Sequence, residues 1–217
     1  MYSPAISLSK NVLDFFQRYL IIRNRDFLFS YQEGKENAQT ECWSAGLHLV
    51  PVSTGIWLAY EGFPVQIRHL FLAHSVADIL CFCHHFQSWL KISDNVAFAA
   101  LGLIASNSQI SFLKHQFFNA KVHTLFDAGI TGRVSDCKVA LWIKGTDATF
   151  IADDDFIHID HRRNRFVIPI EAFSLNRFEK TVGIRSGIRT HKPKGGYFSF
   201  NEFFMVSTDN YHNHFTK

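Results

Sequence analysis

Short unbroken apolar runs and helical stripes alternate through the middle third of the chain. HLFLA at residues 69–73 has the length and character of a strand buried on both faces. Residues 75–90 follow with a helical stripe, and Ser75 stands at its start as a cap. VAFAALG at 96–102 reads as a second strand. Residues 108–117 read as a second helix with Ile110, Leu113 and Phe117 on one side. VHTLFD at 122–127 reads as a third strand, after which a Gly-containing turn enters a third helix. This alternation predicts right-handed crossovers and a parallel sheet. Ligands on such sheets gather beyond the carboxyl ends of the strands, which here carry His74, Gly102 and Asp127.

The flanks are less regular. Leu8, Val12, Phe15, Phe16, Tyr19 and Leu20 recur at helical spacing and predict a helix over 8–22, with Ser7 or Ser9 as its cap. The polar stretch QEGKENAQTE at 32–41 predicts an exposed loop. Between residues 47 and 64, short apolar runs punctuated by Pro and Gly predict strands, GIWLAY at 55–60 the clearest. FIHIDHRRNRFVIPI at 156–170 predicts a hairpin around a basic turn. The expected organisation is an N-terminal helix and strands over 1–67 packed on the core, an α/β core over 68–145, and a basic β-rich extension over 146–217.

Composition adds three points. Apolar residues make up 47% of the chain and include 23 Phe, so an aromatic-rich core is expected. The net charge of +3 is too small to name a partner, but it is unevenly placed: residues 162–196 hold nine Lys or Arg against two Glu. The cysteines Cys42, Cys81, Cys83 and Cys137 are too sparse for a secreted disulfide framework and fit free thiols in a reducing compartment. No long apolar run predicts a membrane span, and the N-terminus lacks the form of a signal peptide, so a cytoplasmic location is the expectation.

The segments FLAHSVADIL (71–80), FAALGLIASNSQISFLKHQF (98–117) and LFDAGITGR (125–133) together resemble the Toprim domain of primases, topoisomerases and recombination proteins. Their flavour is that of Toprim-like proteins carried by bacterial mobile elements. The resemblance covers about a third of the chain. It implies a Toprim-like, Rossmann-like α/β fold: a parallel sheet flanked by helices, here with N-terminal and C-terminal α+β extensions. In that family the first strand ends in Glu, the second in a Gly-containing turn and the third in Asp-x-Asp. Here the Glu falls on His74, the first Asp on Asp127 and the second on Gly129. Mg²⁺ prefers clustered oxygen ligands, so this departure implies that the family's phosphoryl-transfer chemistry is lost. No cofactor is implied other than Mg²⁺, with Asp127 at most as its ligand, and only if the remnant catalytic positions His74 and Asp127 are active. Asp136, nine residues beyond Asp127, lies outside the motif.

Other features carry two readings each. His74 is a ligand or general base, or it bonds local backbone at a strand end. Asp127 is a metal remnant or a helix cap. His74, Asp78, Cys81 and His85 share a helical face that suggests zinc, but Cys81 and Cys83 point apart on a helix and also read as small core residues. The segment 174–196 interleaves basic residues with Gly, Ser and Thr, which suits phosphate contacts and also describes a solvated loop. Its Arg177, Lys180, Arg185, Arg189, Lys192 and Lys194, with Arg133, are the candidate nucleic-acid or phosphate contacts. There is no Walker-type loop and no Gly-x-Ser-x-Gly elbow. The leading expectation is a non-catalytic Toprim-like protein that binds nucleic acid or another phosphate-bearing ligand in mobile-element DNA transactions. The alternatives are a divergent metal-dependent nuclease-like enzyme using Asp127 and His74, with Asp78 or Asp136 in support, and a structural protein whose Phe-rich surface is an interface.

Overall fold

The computed structural model describes residues 7–24, 26–32 and 39–214. A mixed five-stranded sheet organises it, built from β5 (Trp57–Tyr60), β6 (His69–Ala73), β7 (Val96–Ala100), β8 (Lys121–Thr124) and β12 (Arg189–Thr190) in the order β12-β8-β6-β7-β5. Strands β6, β7, β8 and β12 run parallel and β5 runs antiparallel along the edge. The parallel strands expected from the strand–helix alternation are therefore present. All five residues of β7 and four of the five in β6 are buried, as a strand covered on both faces requires.

Between the strands lie α2 (Val76–His85), α3 (Asn107–Gln116) and α4 (Ile130–Ile143). Ser75 caps α2 by accepting from the Asp78 amide, and Ser106 and Gln109 form a reciprocal capping box on α3. On one sheet face, Phe71, Ala73 and Phe98 pack with α2, with α1 (Lys10–Phe16) and with the C-terminal helix α6 (Phe200–His214). On the other face, Leu70, Leu72, Ala97 and Ala99 pack under α3 and α4. The period-two split of each strand between these clusters follows from side chains alternating across the pleat.

An antiparallel four-stranded sheet, β1 (Ile21–Arg23), β2 (Asp26–Tyr31), β3 (Gln39–Ser44) and β4 (Leu47–Leu49), places Phe27, Phe29, Tyr31 and Trp43 in the first cluster. A third cluster joins α4 to β9 (Thr149–Ala152), β10 (Phe156–His161), β11 (Asn164–Pro169) and α5 (Leu175–Val182). The predicted hairpin forms, and its two-residue turn has Arg162 and Arg163 both at positive φ, 48° and 67°. That backbone twist matches the strands it joins.

Three local expectations need correction. The helix expected over 8–22 stops at Phe16, passes through a 3₁₀ turn and becomes β1, because Ile21 and Ile22 pair with β2. The helix expected over 75–90 ends at His85, and residues Gln87–Asn95 are 3₁₀ with a break at Ile92. The exposed loop expected over 32–41 is wrong at its C-terminal end: Gln39–Glu41 pair with β2, and Glu41 is fully buried. Residues 33–38 of that loop lie outside the described residues. No helix of the described residues is long and apolar enough to cross a membrane.

Candidate functional site

The carboxyl ends of β6, β7 and β8 are filled. Gly102, at φ +80°, lies under the Pro51 carbonyl, where an added Cβ would come within 2.7 Å of that oxygen. The buried amide of Gln109 ties this covering loop down by donating to the carbonyls of Ser53, Gly55 and Leu101. His74 is 8% exposed, and its Nδ1 meets the Gly102 carbonyl at 3.2 Å. A carbonyl only accepts, so Nδ1 holds the proton and Nε2 is a buried acceptor without a partner. Burial holds the His74 pKa below its ordinary value.

Four carboxylates surround these strand ends, and three are engaged internally. Glu41 comes from β3, in a segment read as loop. Its Oε2 accepts from the Val76 amide at 2.8 Å and the Tyr31 hydroxyl at 2.6 Å, and its Oε1 accepts from the Ala77 amide and meets His48 Nε2. The carboxylate thus satisfies the free amides of the first turn of α2, where the helix dipole favours negative charge. Asp78 accepts from the Ser75 hydroxyl and from the Asn201 amide of α6. Asp136 accepts from the Thr124 hydroxyl at 2.6 Å and pairs with Lys192 at 2.9 Å. Asp136 does reach the strand ends, as a buried structural anion.

Asp127 differs from the other three. It is partly buried, and its pKa is pushed up to about 6, first by desolvation and then by the nearby Asp78. Lys192 does not offset this through a direct ion pair, since its contacts near Asp127 are to the backbone carbonyls of Phe126 and Asp127. Gly129 stands where the Toprim resemblance would put the second Asp. The Phe198 ring lies in the space that a Cβ there would take, and the Ala128 amide donates to the Phe198 carbonyl. A carboxylate at residue 129 would have to displace that ring.

The Mg²⁺ that the Toprim resemblance would bring does not fit these residues. Glu41, Asp78 and Asp136 already have protein donors on their oxygens, and residue 129 offers no side chain. Among the described residues, no three His, Cys, Asp or Glu side chains converge to hold a metal ion. Cys81 and Cys83 are fully buried thiols whose pKa burial raises well above the ordinary value, which suits core packing better than ligation.

The basic candidates divide into two groups. Arg133 and Lys192 are turned inward: Arg133 donates to the carbonyls of Ala128 and Phe173, and Lys192 joins Asp136 to the carbonyls of Phe126 and Asp127, just past β8. Arg177, Lys180, Arg185, Arg189 and Lys194 are exposed, and none forms an ion pair among the described residues. The first two sit on α5 and Arg189 on β12, so the segment is partly regular structure rather than one continuous loop.

Sequence reading missed Glu41, whose polar surroundings gave no sign of burial. It also missed a row of histidines across the sheet. His69 Nδ1 meets His123 Nε2 at 3.0 Å, and His123 Nδ1 meets His191 Nε2 at 2.9 Å. No protein-family model matches the chain.

Proposed function

We propose that this chain is a Toprim-like protein without phosphoryl-transfer chemistry that binds nucleic acid, or another phosphate-bearing chain, through its exposed basic residues. The observation that carries this reading is the contrast in how the charges are used. Three of the four acidic residues at the strand ends, Glu41, Asp78 and Asp136, are satisfied from within by helix amides, hydroxyls and Lys192. The cations Arg177, Lys180, Arg185, Arg189 and Lys194 are exposed and form no ion pair among the described residues. Supporting the fold part of the reading, β6, β7 and β8 lie in the order β8-β6-β7, and connections from β6 and β8 leave in opposite directions. The mobile-element setting, with DNA mobilisation or replication as the process served, belongs to the same proposal.

Fluorescence anisotropy with a labelled oligonucleotide tests it. Binding should weaken steeply with salt, and replacing Arg185, Arg189 and Lys194 by Ala should flatten the slope of log K against log salt by about 2–3. Absence of salt-sensitive binding at low ionic strength sinks the reading.

One observation favours the enzyme alternative: Asp127, with its pKa near 6 and no direct ion pair among the described residues, has the character of a proton-transfer group. Cleavage of DNA dependent on Mg²⁺ or Mn²⁺ and abolished by Asp127→Asn would establish it. Cleavage that survives this substitution would remove Asp127 from any active site.

A further inference from the structure

The amino-terminal ends of the parallel strands carry a second polar cluster, on the sheet face that α2 covers. In the strand register His69 lies opposite Lys121, and His123 lies opposite both Phe71 and Arg189. Paired residues on neighbouring strands point to the same face. His69, Lys121, His123 and Arg189 therefore share one face, with His191 a further step along beyond β12. The histidines form a diagonal across β6, β8 and the end of β12, and Lys121 and Arg189 flank its centre.

Two properties of this cluster point to an anion. First, its positive charge is uncompensated. Lys121 and Arg189 are exposed and form no ion pair among the described residues. Among the described residues, the charged groups that act on His69, His123 and His191 are Lys121, Arg189 and the other histidines of the row. Clustered like charge costs free energy that a bound anion relieves.

Second, the hydrogen-bonded row can present a donor. When His191 Nε2–H donates to His123 Nδ1, and His123 Nε2–H donates to His69 Nδ1, the neutral His69 carries its own proton on Nε2. That nitrogen has no protein partner among the described residues, and His69 is only partly buried at the strand start. The aromatic cover of Trp89 and Phe71 keeps water from the inner rings, so the row holds one tautomer direction when an acceptor fixes its outer end.

We propose that Lys121, Arg189 and His69 Nε2 form a site for a phosphate group, carried by a nucleic-acid backbone or by a free polyphosphate. The site rests on the phosphate-binding reading above and locates it at the base of the sheet, away from the strand ends where the Toprim resemblance would put it. Lys121 supplies a point charge, Arg189 a two-pronged donor and His69 a directional hydrogen bond.

The test is imidazole NMR on the full chain near neutral pH and low ionic strength, titrated in turn with tripolyphosphate and with a short oligodeoxynucleotide. Binding should shift the His69 Nε2 resonance and raise the pH at which His69 titrates. Lys121→Ala/Arg189→Ala should weaken the tripolyphosphate response at least about tenfold, with unfolding by urea unchanged. Lys121→Arg with Arg189 kept should retain most of it. No His69 response, or an undiminished response in the alanine variant, overturns the site. If the oligonucleotide binds the native chain and the alanine variant equally, this site falls and the nucleic-acid reading stands on Arg177, Lys180, Arg185 and Lys194 without Arg189. If tripolyphosphate moves His69 but no oligonucleotide binds, the site stands as one for free polyphosphate and the nucleic-acid reading falls.

Discussion

Lys192 Nζ lies 2.9 Å from Asp136 Oδ2, and the same ammonium donates to the carbonyls of Phe126 and Asp127. One side chain thus neutralises a buried carboxylate and fastens the segment after β12 to the end of β8. Lys192→Met leaves Asp136 charged and almost wholly buried, which should cost about 3–5 kcal/mol of stability. Adding Asp136→Asn should recover much of that loss, since Thr124 still has an acceptor. Burial already raises the Asp136 pKa, and Lys192 holds it down. The single variant should therefore lose its deficit as pH falls and the carboxyl protonates. Urea unfolding of both variants at neutral and acidic pH measures this, and a double variant no better than the single would refute the pairing.

Glycines 129 and 132 both sit against neighbours at the start of α4, but the neighbours differ. A Cβ at Gly129 meets the Phe198 ring, which is 53% exposed and can move. A Cβ at Gly132 meets the backbone of Asp127, which cannot move without shifting the end of β8. Gly129→Ala should cost about 1 kcal/mol and be rescued by Phe198→Ala. Gly132→Ala should cost about 2–4 kcal/mol with no such rescue. Two thermal-unfolding cycles that share the parent and Phe198→Ala separate the two, and equal rescue at both positions would contradict the geometry.

Glu41 joins β3 to the first turn of α2 through the Val76 and Ala77 amides. Glu41→Ala leaves both amides buried without that acceptor and the Tyr31 hydroxyl with only its 3.2 Å contact to the His74 carbonyl, for a loss of about 2–4 kcal/mol. Glu41→Gln keeps one acceptor oxygen and should lose less. Amide hydrogen exchange at Val76 and Ala77 should accelerate in the alanine variant. Unchanged protection there would show that the helix start does not depend on Glu41.

These residues also mark how much could be read from the chain. Strands β6, β7 and β8 announce themselves because burial on both faces demands continuous apolar runs, and HLFLA and VAFAA supply them. Ser75 was legible because a cap acts within four residues of itself. Glu41 was not, because its partners lie 35 and 36 residues away and its strand alternates Glu41 and Trp43 inward from a polar-looking stretch. His69, His123 and His191 are separated by 54 and 68 residues, and only the register of parallel strands brings them together. No local spacing encodes that register. Phe198 over Gly129 is of the same kind: the glycine was visible in the sequence, but not the ring 69 residues on that fills the space beside it.

The pH dependence of stability should carry two opposed signatures. The folded His123 pKa is pushed down to about 3, mainly by burial and then by His191, His69, Arg189 and Lys121. Between about pH 6.5 and 3 the unfolded chain binds a proton there that the folded chain does not. Stability must therefore fall as pH falls through that window, by up to roughly 1.4 kcal/mol per pH unit for this group. His85, held at about 4, adds to the same trend. Asp127 acts in reverse. Its folded pKa of about 6 lies above the unfolded value, so between about pH 4 and 6 the folded chain binds the extra proton. Its ionised form costs stability at neutral pH, and that cost vanishes on acidification. Asp127→Asn should consequently stabilise the protein at pH 7.5 by about 1–3 kcal/mol and give no gain near pH 4. His123→Gln should leave stability at pH 7.5 lowered by lost packing but make the fall between pH 6.5 and 4 shallower. Urea midpoints across that range decide both, and a gain from Asp127→Asn that persists at pH 4 would show that the benefit comes from something other than removing its charge.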